Sequence, residues 1–201
     1  MYKKRVIAAF DFDGTLIDGD SFVEFSIYAL GKKAFWCAVF RCFPYLLLYK
    51  LRLYPNWKAK ERLFTALFKG VPISKLNSVA ERFFADMGEK LLKKEAVECV
   101  RRHIQEGNIV VVVSASVVNW VRPFAAALGI SVVLATELES DNEQKITGKF
   151  ATLNCYGREK VNRLLERFPN KEDYMLYAYG DSNGDRDMIV FADRGFYRRF
   201  Q

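Results

Sequence analysis

Two carboxylates stand two residues apart in Asp11-Phe12-Asp13-Gly14-Thr15, directly after a short apolar run. Such a pair suits phosphoryl transfer, because its members can take different jobs. Asp11 can attack phosphorus to give an aspartyl-phosphate. Asp13 can protonate the leaving oxygen and later activate water. Gly14 permits a sharp turn and lets backbone N–H groups approach phosphate oxygens. Taken alone, the same five residues also describe a plain metal site or an Asp-rich turn.

Three further segments add to this chemistry. Ser114 follows a run of valines, and a hydroxyl there can donate to a phosphate oxygen; a helix cap is its ordinary alternative. Lys160, in Gly157-Arg158-Glu159-Lys160-Val161, can offset the charge of nucleophile and phosphate together, or can be a solvated surface lysine. Gly180-Asp181-Ser182-Asn183-Gly184-Asp185 offers carboxylates to a hard cation. Mg²⁺ takes a few such ligands plus phosphate oxygens and water. Asp11, Asp181 and the Asp13 main-chain carbonyl form the expected ligand set. Asp185 would hold the metal's waters or orient Lys160. A calcium-like acidic turn is the alternative, although the glutamate of an EF-hand loop is missing. No segment decides the matter alone, but all of them in this order are hard to obtain by accident.

The elements that must position these residues are readable from periodicity. Residues 6–10, 109–113 and 174–179 are continuous apolar runs ending in polar, small-residue loops, as buried strands do. Weaker strands are expected at 131–135 and 195–199. Residues 90–106, 118–128 and 158–168 carry helical spacing, with Pro123 a kink or a helix start. Alternating strands and helices predict an α/β fold with a parallel sheet covered on both faces. Ligands of open α/β sheets bind beyond the carboxyl ends of the strands, which would bring Asp11, Ser114 and Asp181 side by side.

The stretch from about 21 to 88 is different. It shows no convincing strand, is rich in aromatics (Phe22, Phe25, Phe35, Trp36, Phe40, Phe43, Tyr45, Trp57, Phe64, Phe68), and is laced with Arg41, Lys50, Arg52, Lys58 and Lys60. It predicts a helical insertion over the strand ends, opening to admit substrate and closing to limit water. Its most apolar part, 34–54, is broken by Arg41, Pro44, Lys50 and Arg52. A bilayer span needs roughly 20 mostly apolar residues, so none is expected here.

The net charge of +7 points to an anionic partner: a phosphorylated substrate, an anionic membrane surface or nucleic acid. Nucleic acid is not expected, since no RNA-binding motif is recognisable. Cys37, Cys42, Cys99 and Cys155 have no metal-ligand spacing, and His103 is the single histidine, so reduced thiols in a cytoplasmic protein are expected rather than a zinc site. The basic start Met1-Tyr2-Lys3-Lys4-Arg5 is followed by too short an apolar run for export, which needs about 7–15 residues.

Together these residues closely resemble the haloacid dehalogenase superfamily of aspartate-nucleophile phosphatases. Its four motifs map onto Asp11-Phe12-Asp13-Gly14-Thr15, Ser114, Lys160, and Gly180-Asp181 with Asp185. The resemblance implies a Rossmann-like core at 1–18 and 89–201, with a helical cap at 19–88. It implies Asp11 as nucleophile and Asp13 as general acid/base. Ser114, Lys160 and Gly14 would bind phosphate, and Asp11, Asp13 and Asp181 would bind Mg²⁺ with Asp185 in support. The helical insert, Ile146-Thr147-Gly148-Lys149 and Gly157-Arg158-Glu159-Lys160 resemble the subfamily of phosphoserine phosphatase. Two departures count against phosphoserine: Asp20-Ser21 stands where that enzyme has a glutamate, and Gly184 where it has an asparagine. Asp20 and Ser21 are nonetheless candidate substrate contacts. The insert also resembles that of a sister group that includes a bacterial phosphatidylglycerophosphatase. The expected substrate is therefore a lipid phosphate such as phosphatidylglycerophosphate, with peripheral contact at the cytoplasmic membrane face. Phosphoserine or another small phosphorylated metabolite is the alternative.

Overall fold

The computed structural model describes residues 4–200, so Met1 to Lys3 of the basic start lie outside the described residues. In chain order the elements are β1 (Arg5–Phe10), α1 (Ser21–Leu30), α2 (Lys32–Lys50), α3 (Asn56–Phe68), α4 (Ile73–Leu91), α5 (Lys94–Gln105), β2 (Ile109–Val117), α6 (Val118–Ala127), β3 (Val132–Thr136), β4 (Leu138–Ser140), β5 (Ile146–Phe150), α7 (Arg158–Arg167), β6 (Tyr174–Gly180), α8 (Arg186–Phe191) and β7 (Arg194–Tyr197). Five strands form one parallel sheet in the order β3-β2-β1-β6-β7.

Alternation along the strands explains the layering, because successive side chains point to opposite faces. Phe10, Val110 and Val112 pack on one face with α5 and α6. Ile7, Ala9, Val111 and Val113 pack on the other with Val161 and Leu164 of α7 and Met188 of α8. Both faces of the central strands are covered, hence their unbroken apolar runs. The register pairs Phe10 with Val112 on one side and with Tyr179 on the other. The chain therefore leaves β1, β2 and β6 at one common edge.

The helical insertion is present as α1 to α4, and its aromatics divide into two groups. Phe22, Phe25, Phe64, Phe68 and Phe83 are buried and continuous with the core face formed by Phe10, Trp120 and Phe124. Phe25 stacks on Trp120 with ring centroids 4.7 Å apart. Each fully buried phenylalanine contributes roughly 1.5–3 kcal/mol of burial free energy, enough to seat the insert firmly on α6. Trp36, Phe40, Phe43 and Trp57 remain exposed, Phe40 by 81%.

Some sequence expectations need correction. The helix read over 90–106 is two helices, because Leu92 and Lys93 are extended between α4 and α5. The reason lies far away in sequence: Ile17 bridges Leu92, and the Lys93 N–H donates to the Leu16 carbonyl at 3.0 Å. β2 continues beyond Ser114 to Val117 through a register irregularity against β3. Pro123 lies inside α6 rather than at its start, and Pro44 lies inside an unbroken α2. The β4–β5 hairpin escaped detection, being two short strands around Asp141, whose Oδ1 accepts from the Glu143 and Lys145 amides at 2.9 Å each. Among the described residues no helix is long and apolar enough to cross a membrane.

The hairpin matters to the site because it grips the insert. Thr65 of α3 donates to the Gly148 carbonyl at 3.0 Å, and the Phe150 amide donates to Glu61 at 2.9 Å. The α3–α4 loop and β5 exchange two backbone bonds, Gly70 to Ile146 and Ile146 to Val71.

Candidate active site

Asp11 follows β1 at the sheet edge and is anchored through its N–H, which donates to the Tyr179 carbonyl at 2.9 Å. Its carboxylate is buried. Lys160, in the first turn of α7, is buried as well, and its ammonium donates to Asp11 Oδ1 at 2.5 Å, Asp185 Oδ1 at 2.5 Å and the Val113 carbonyl at 2.9 Å. An ammonium has three hydrogens, and all are used. The surface-lysine alternative is therefore excluded.

Electrostatics follow from this packing. Burial pushes the Asp11 carboxyl up to about 7; Lys160 pulls against it, while Asp185 and Asp13 add to the rise. Burial alone would lower the Lys160 pKa, but Asp11 and Asp185 outweigh it and hold the ammonium well above its ordinary range. Asp185 is pushed up by burial and pulled down more strongly by Lys160 and Ser182, so it stays below the usual carboxylate range. Burial and the neighbouring Asp185 raise Asp181.

Asp185 is committed on both oxygens. Oδ2 accepts from the Asp181 amide at 3.2 Å, the Ser182 amide at 3.0 Å and the Ser182 hydroxyl at 2.7 Å. It thus ties the 180–185 loop to Lys160. Carboxylate oxygens of Asp11, Asp181 and Asp185 lie within 4.8 Å of one another. A cluster of hard, anionic oxygens suits Mg²⁺. Asp13, expected among the ligands through its main-chain carbonyl, is not part of this group of carboxylates, although it lines the same cavity. Asp13 Oδ1 accepts from the Ser21 amide at 2.7 Å and Oδ2 from the Ser116 hydroxyl at 2.5 Å.

Gly14 has φ +73°, and a Cβ there would sit 2.5 Å from Asp181 Oδ2. Its absent side chain is what lets the first and fourth motifs touch. Its own N–H donates to the Gly19 carbonyl at 3.1 Å, so Gly14 makes room for the site rather than offering that amide to a phosphate. Ser114 is fully buried, and its Oγ accepts from the Ser116 amide at 2.9 Å, leaving its hydroxyl hydrogen for another acceptor. Asp20 caps α1 through the Phe22 and Val23 amides and lines the cavity. Ser21 does not line it: buried, it donates to Ser116 and accepts from Trp120, which corrects its expected role as a substrate contact.

Asp11, Asp13, Gly14, Asp20, Lys160, Asp181 and Asp185 form the floor of a cavity of about 790 Å³ between the strand ends and the insert, while Ser114, like Ser21, is buried and does not line it. Phe22, Leu46, Tyr49 and Leu63 of the insert line its other side. Two lysines also reach it. Lys60 of α3 donates to the Ala115 carbonyl at 2.6 Å, and burial lowers its pKa against the pull of Asp13 and Asp20. Lys93 donates to the Gly14 carbonyl at 2.5 Å. Sequence reading gave Lys60 no role beyond a basic insert and did not single out Lys93, since nothing local sets either apart from the other basic residues. Ser116 was discoverable: two positions after Ser114 on an extended strand, it shares that residue's face.

Comparison with known proteins bears on this geometry. A family model described as haloacid dehalogenase-like hydrolase matches residues 8–189. Protein CicA of Caulobacter vibrioides is 34% identical over 202 residues, spanning 100% of this chain and 89% of its own. A probable phosphatase of Mycobacterium tuberculosis is 30% identical over 209 residues, spanning 96% of this chain and 71% of its own. Among solved structures, a protein of unknown function from Bordetella pertussis superposes with TM-score 0.83 at 23% identity, covering 97% of this chain and 90% of that one. A phosphoserine phosphatase, solved as a phospho-aspartyl intermediate analogue, superposes with TM-score 0.62 at 22% identity over 94% of this chain and 84% of that one.

Proposed function

The chain belongs to the haloacid dehalogenase-like hydrolases as a phosphatase, and we propose that it cleaves phosphomonoesters with Mg²⁺ through an aspartyl-phosphate intermediate. The observation that carries this is the triple contact of Lys160 with Asp11, Asp185 and Val113 beside Asp181. It supports a buried carboxylate held for attack and a fixed positive charge where phosphate must sit.

Asp11 attacks phosphorus as the bond to the leaving oxygen breaks, and Asp13 gives that oxygen its proton. Asp13 then takes a proton from water, which attacks the aspartyl-phosphate, releasing phosphate and restoring Asp11. Lys160 and the Ser114 hydroxyl hold phosphate oxygens throughout. Asp11, Asp181 and the Asp13 main-chain carbonyl would hold Mg²⁺, with Asp185 in support, and the ion would supply charge neutralisation at the phosphoryl group. Residues 1–18 and 89–201 serve as the catalytic core, and 19–88 as a cap that limits water access.

A lipid phosphate such as phosphatidylglycerophosphate is the favoured substrate. Trp36, Phe40, Phe43 and Leu47 form an exposed stripe along α2, flanked by Lys33, Arg41 and Lys50. Leu46 and Tyr49 of the same helix line the cavity. Each basic residue near an anionic membrane contributes about 1 kcal/mol of attraction, which supports peripheral contact at the cytoplasmic face. A phosphorylated amino acid is the second reading, favoured by Lys60 and Asp20 lining the cavity together as a cation and an anion. A panel of phosphorylated lipids and metabolites assayed with Mg²⁺ tests both readings. Phosphate release by the wild type and none by Asp11→Asn is the expected result. Release at wild-type rates by Asp11→Asn would remove the mechanism.

A further inference from the structure

A buried hydrogen-bond chain outside the four motifs ends on Asp13. The Trp120 indole N–H donates to Ser21 Oγ at 3.0 Å, Ser21 Oγ donates to Ser116 Oγ at 3.0 Å, and Ser116 Oγ donates to Asp13 Oδ2 at 2.5 Å. The Ser21 amide closes a loop on Asp13 Oδ1 at 2.7 Å. Trp120, Ser21 and Ser116 are each at most 1% exposed.

Donor chemistry gives this chain one direction. An indole nitrogen can only donate, and a hydroxyl carries a single hydrogen. With Trp120 filling an acceptor site on Ser21, the Ser21 hydrogen is free to point at Ser116. The Ser116 hydrogen then points at the carboxylate. Remove the indole N–H, and Ser21 loses one of the partners that fix its orientation, so the Ser116 hydroxyl is held less firmly on Asp13.

The three donors come from three places: Ser116 from the end of β2, Ser21 from the first residue of α1, and Trp120 from α6. Trp120 is stacked on Phe25 and also meets Phe22 and Phe64 of the insert. The seating of the insert is thereby joined to the aim of one carboxylate.

We propose that Ser116, Ser21 and Trp120 are positioning residues that hold the Asp13 carboxylate in the orientation required to protonate the leaving oxygen. This rests on the reading of Asp13 as general acid. A positioned acid typically contributes 10²–10⁴-fold, and it matters most when the leaving group is a poor one. Loss of aim should therefore appear as a dependence on the leaving group rather than as a uniform loss.

The test compares kcat/KM for an alkyl phosphate, whose alkoxide leaves badly, with that for 4-nitrophenyl phosphate, whose phenolate leaves well. Ser116→Ala should lower the alkyl value by about 10- to 100-fold and the aryl value far less, as a fraction of the whole acid effect. Trp120→Phe, which keeps an aromatic ring on Phe25 but removes the N–H together with part of the indole, should show the same asymmetry at about 3- to 10-fold. It also serves if Ser116→Ala fails to fold. Ser116→Thr, keeping the hydroxyl, should restore most of the alkyl activity. Asp13→Asn separates the two levels of the proposal. If Asp13→Asn shows the asymmetry while Ser116→Ala and Trp120→Phe lose both substrates equally, the relay is wrong and the phosphatase reading stands. If Asp13→Asn shows none, the role of Asp13 falls, and the relay with it.

Discussion

The Lys160 ammonium lies 2.5 Å from the Asp11 carboxylate, although 149 residues separate them in the chain. Both groups are shielded from water, and Lys160 also neutralises Asp185. One cation thus sits between two buried anions.

Lys160→Ala should therefore be costly twice over. Removing one partner of a buried ion pair typically destabilises by about 3–5 kcal/mol. Losing the charge that faces the phosphoryl group should lower kcat/KM by roughly 10²–10³-fold. Urea melts and steady-state rates measure the two effects separately.

The metal assignment makes its own prediction. EDTA should silence turnover, and Mg²⁺ should restore it. Asp181→Asn should need far more Mg²⁺ for half-maximal activity while keeping its fold, since Asp181 is only part-buried. Full activity in chelator would overturn the ligand set.

Stability without a cation should depend on pH through Asp11. Its folded-state pKa of about 7 stands above the ordinary 3.8, so its contribution is complete below about 3.8 and lost as pH rises through about 7. Asp185 acts oppositely: its folded value is depressed, and its contribution is present above about 3.8 and lost on acidification. In EDTA, melting temperature should fall as pH climbs toward about 7, an effect on the order of 4 kcal/mol at most. Asp11→Asn should flatten that slope, which differential scanning calorimetry can read.

The exposed face of α2 predicts salt-sensitive binding to vesicles containing phosphatidylglycerol. Replacing Trp36, Phe40 and Phe43 together with serine should weaken co-sedimentation by about tenfold or more, given about 1.5–3 kcal/mol of burial free energy per large apolar side chain. Turnover of a soluble aryl phosphate should be unaffected, because none of the three lines the cavity. Equal binding by the triple variant would remove the support for a lipid substrate.

The grip of the hairpin on the insert is testable at Gly148. Its φ is +94°, and a Cβ there would lie 2.3 Å from Thr65 Oγ1 and 2.9 Å from Thr65 Cα. Gly148→Ala should cost about 1–3 kcal/mol through backbone strain and the clash with α3. Faster hydrogen exchange at Gly70 and Ile146, whose amides bond across this seam, would localise the damage.

Much of this was legible in the chain itself, for identifiable reasons. The runs 6–10, 109–113 and 174–179 read as buried strands, and each ends in a polar loop, so the sequence pattern alone brings Asp11, Ser114 and Asp181 to one edge. The split of 90–106 at Leu92 and Lys93 was not legible, because it depends on Leu16 and Ile17 taking up that backbone. The hairpin was missed because two short strands carry too few alternating positions to register.

What the sequence determined by itself is the chemistry: a pair of aspartates two apart, a buried-strand context and acidic and basic partners in a set order. Those signals are local, since residue type and spacing fix which groups a strand end can present. Contacts over long sequence distances set how those groups are held. The tertiary structure tied the two Asp13 oxygens to Ser21 and Ser116, and it gave Ser21 to Ser116 and Trp120 rather than to substrate. It also sorted the aromatics of the insert into a buried set on Trp120 and an exposed set on α2. Hydrogen-bond direction and burial arise from contacts between residues far apart in the chain, and no local pattern encodes them.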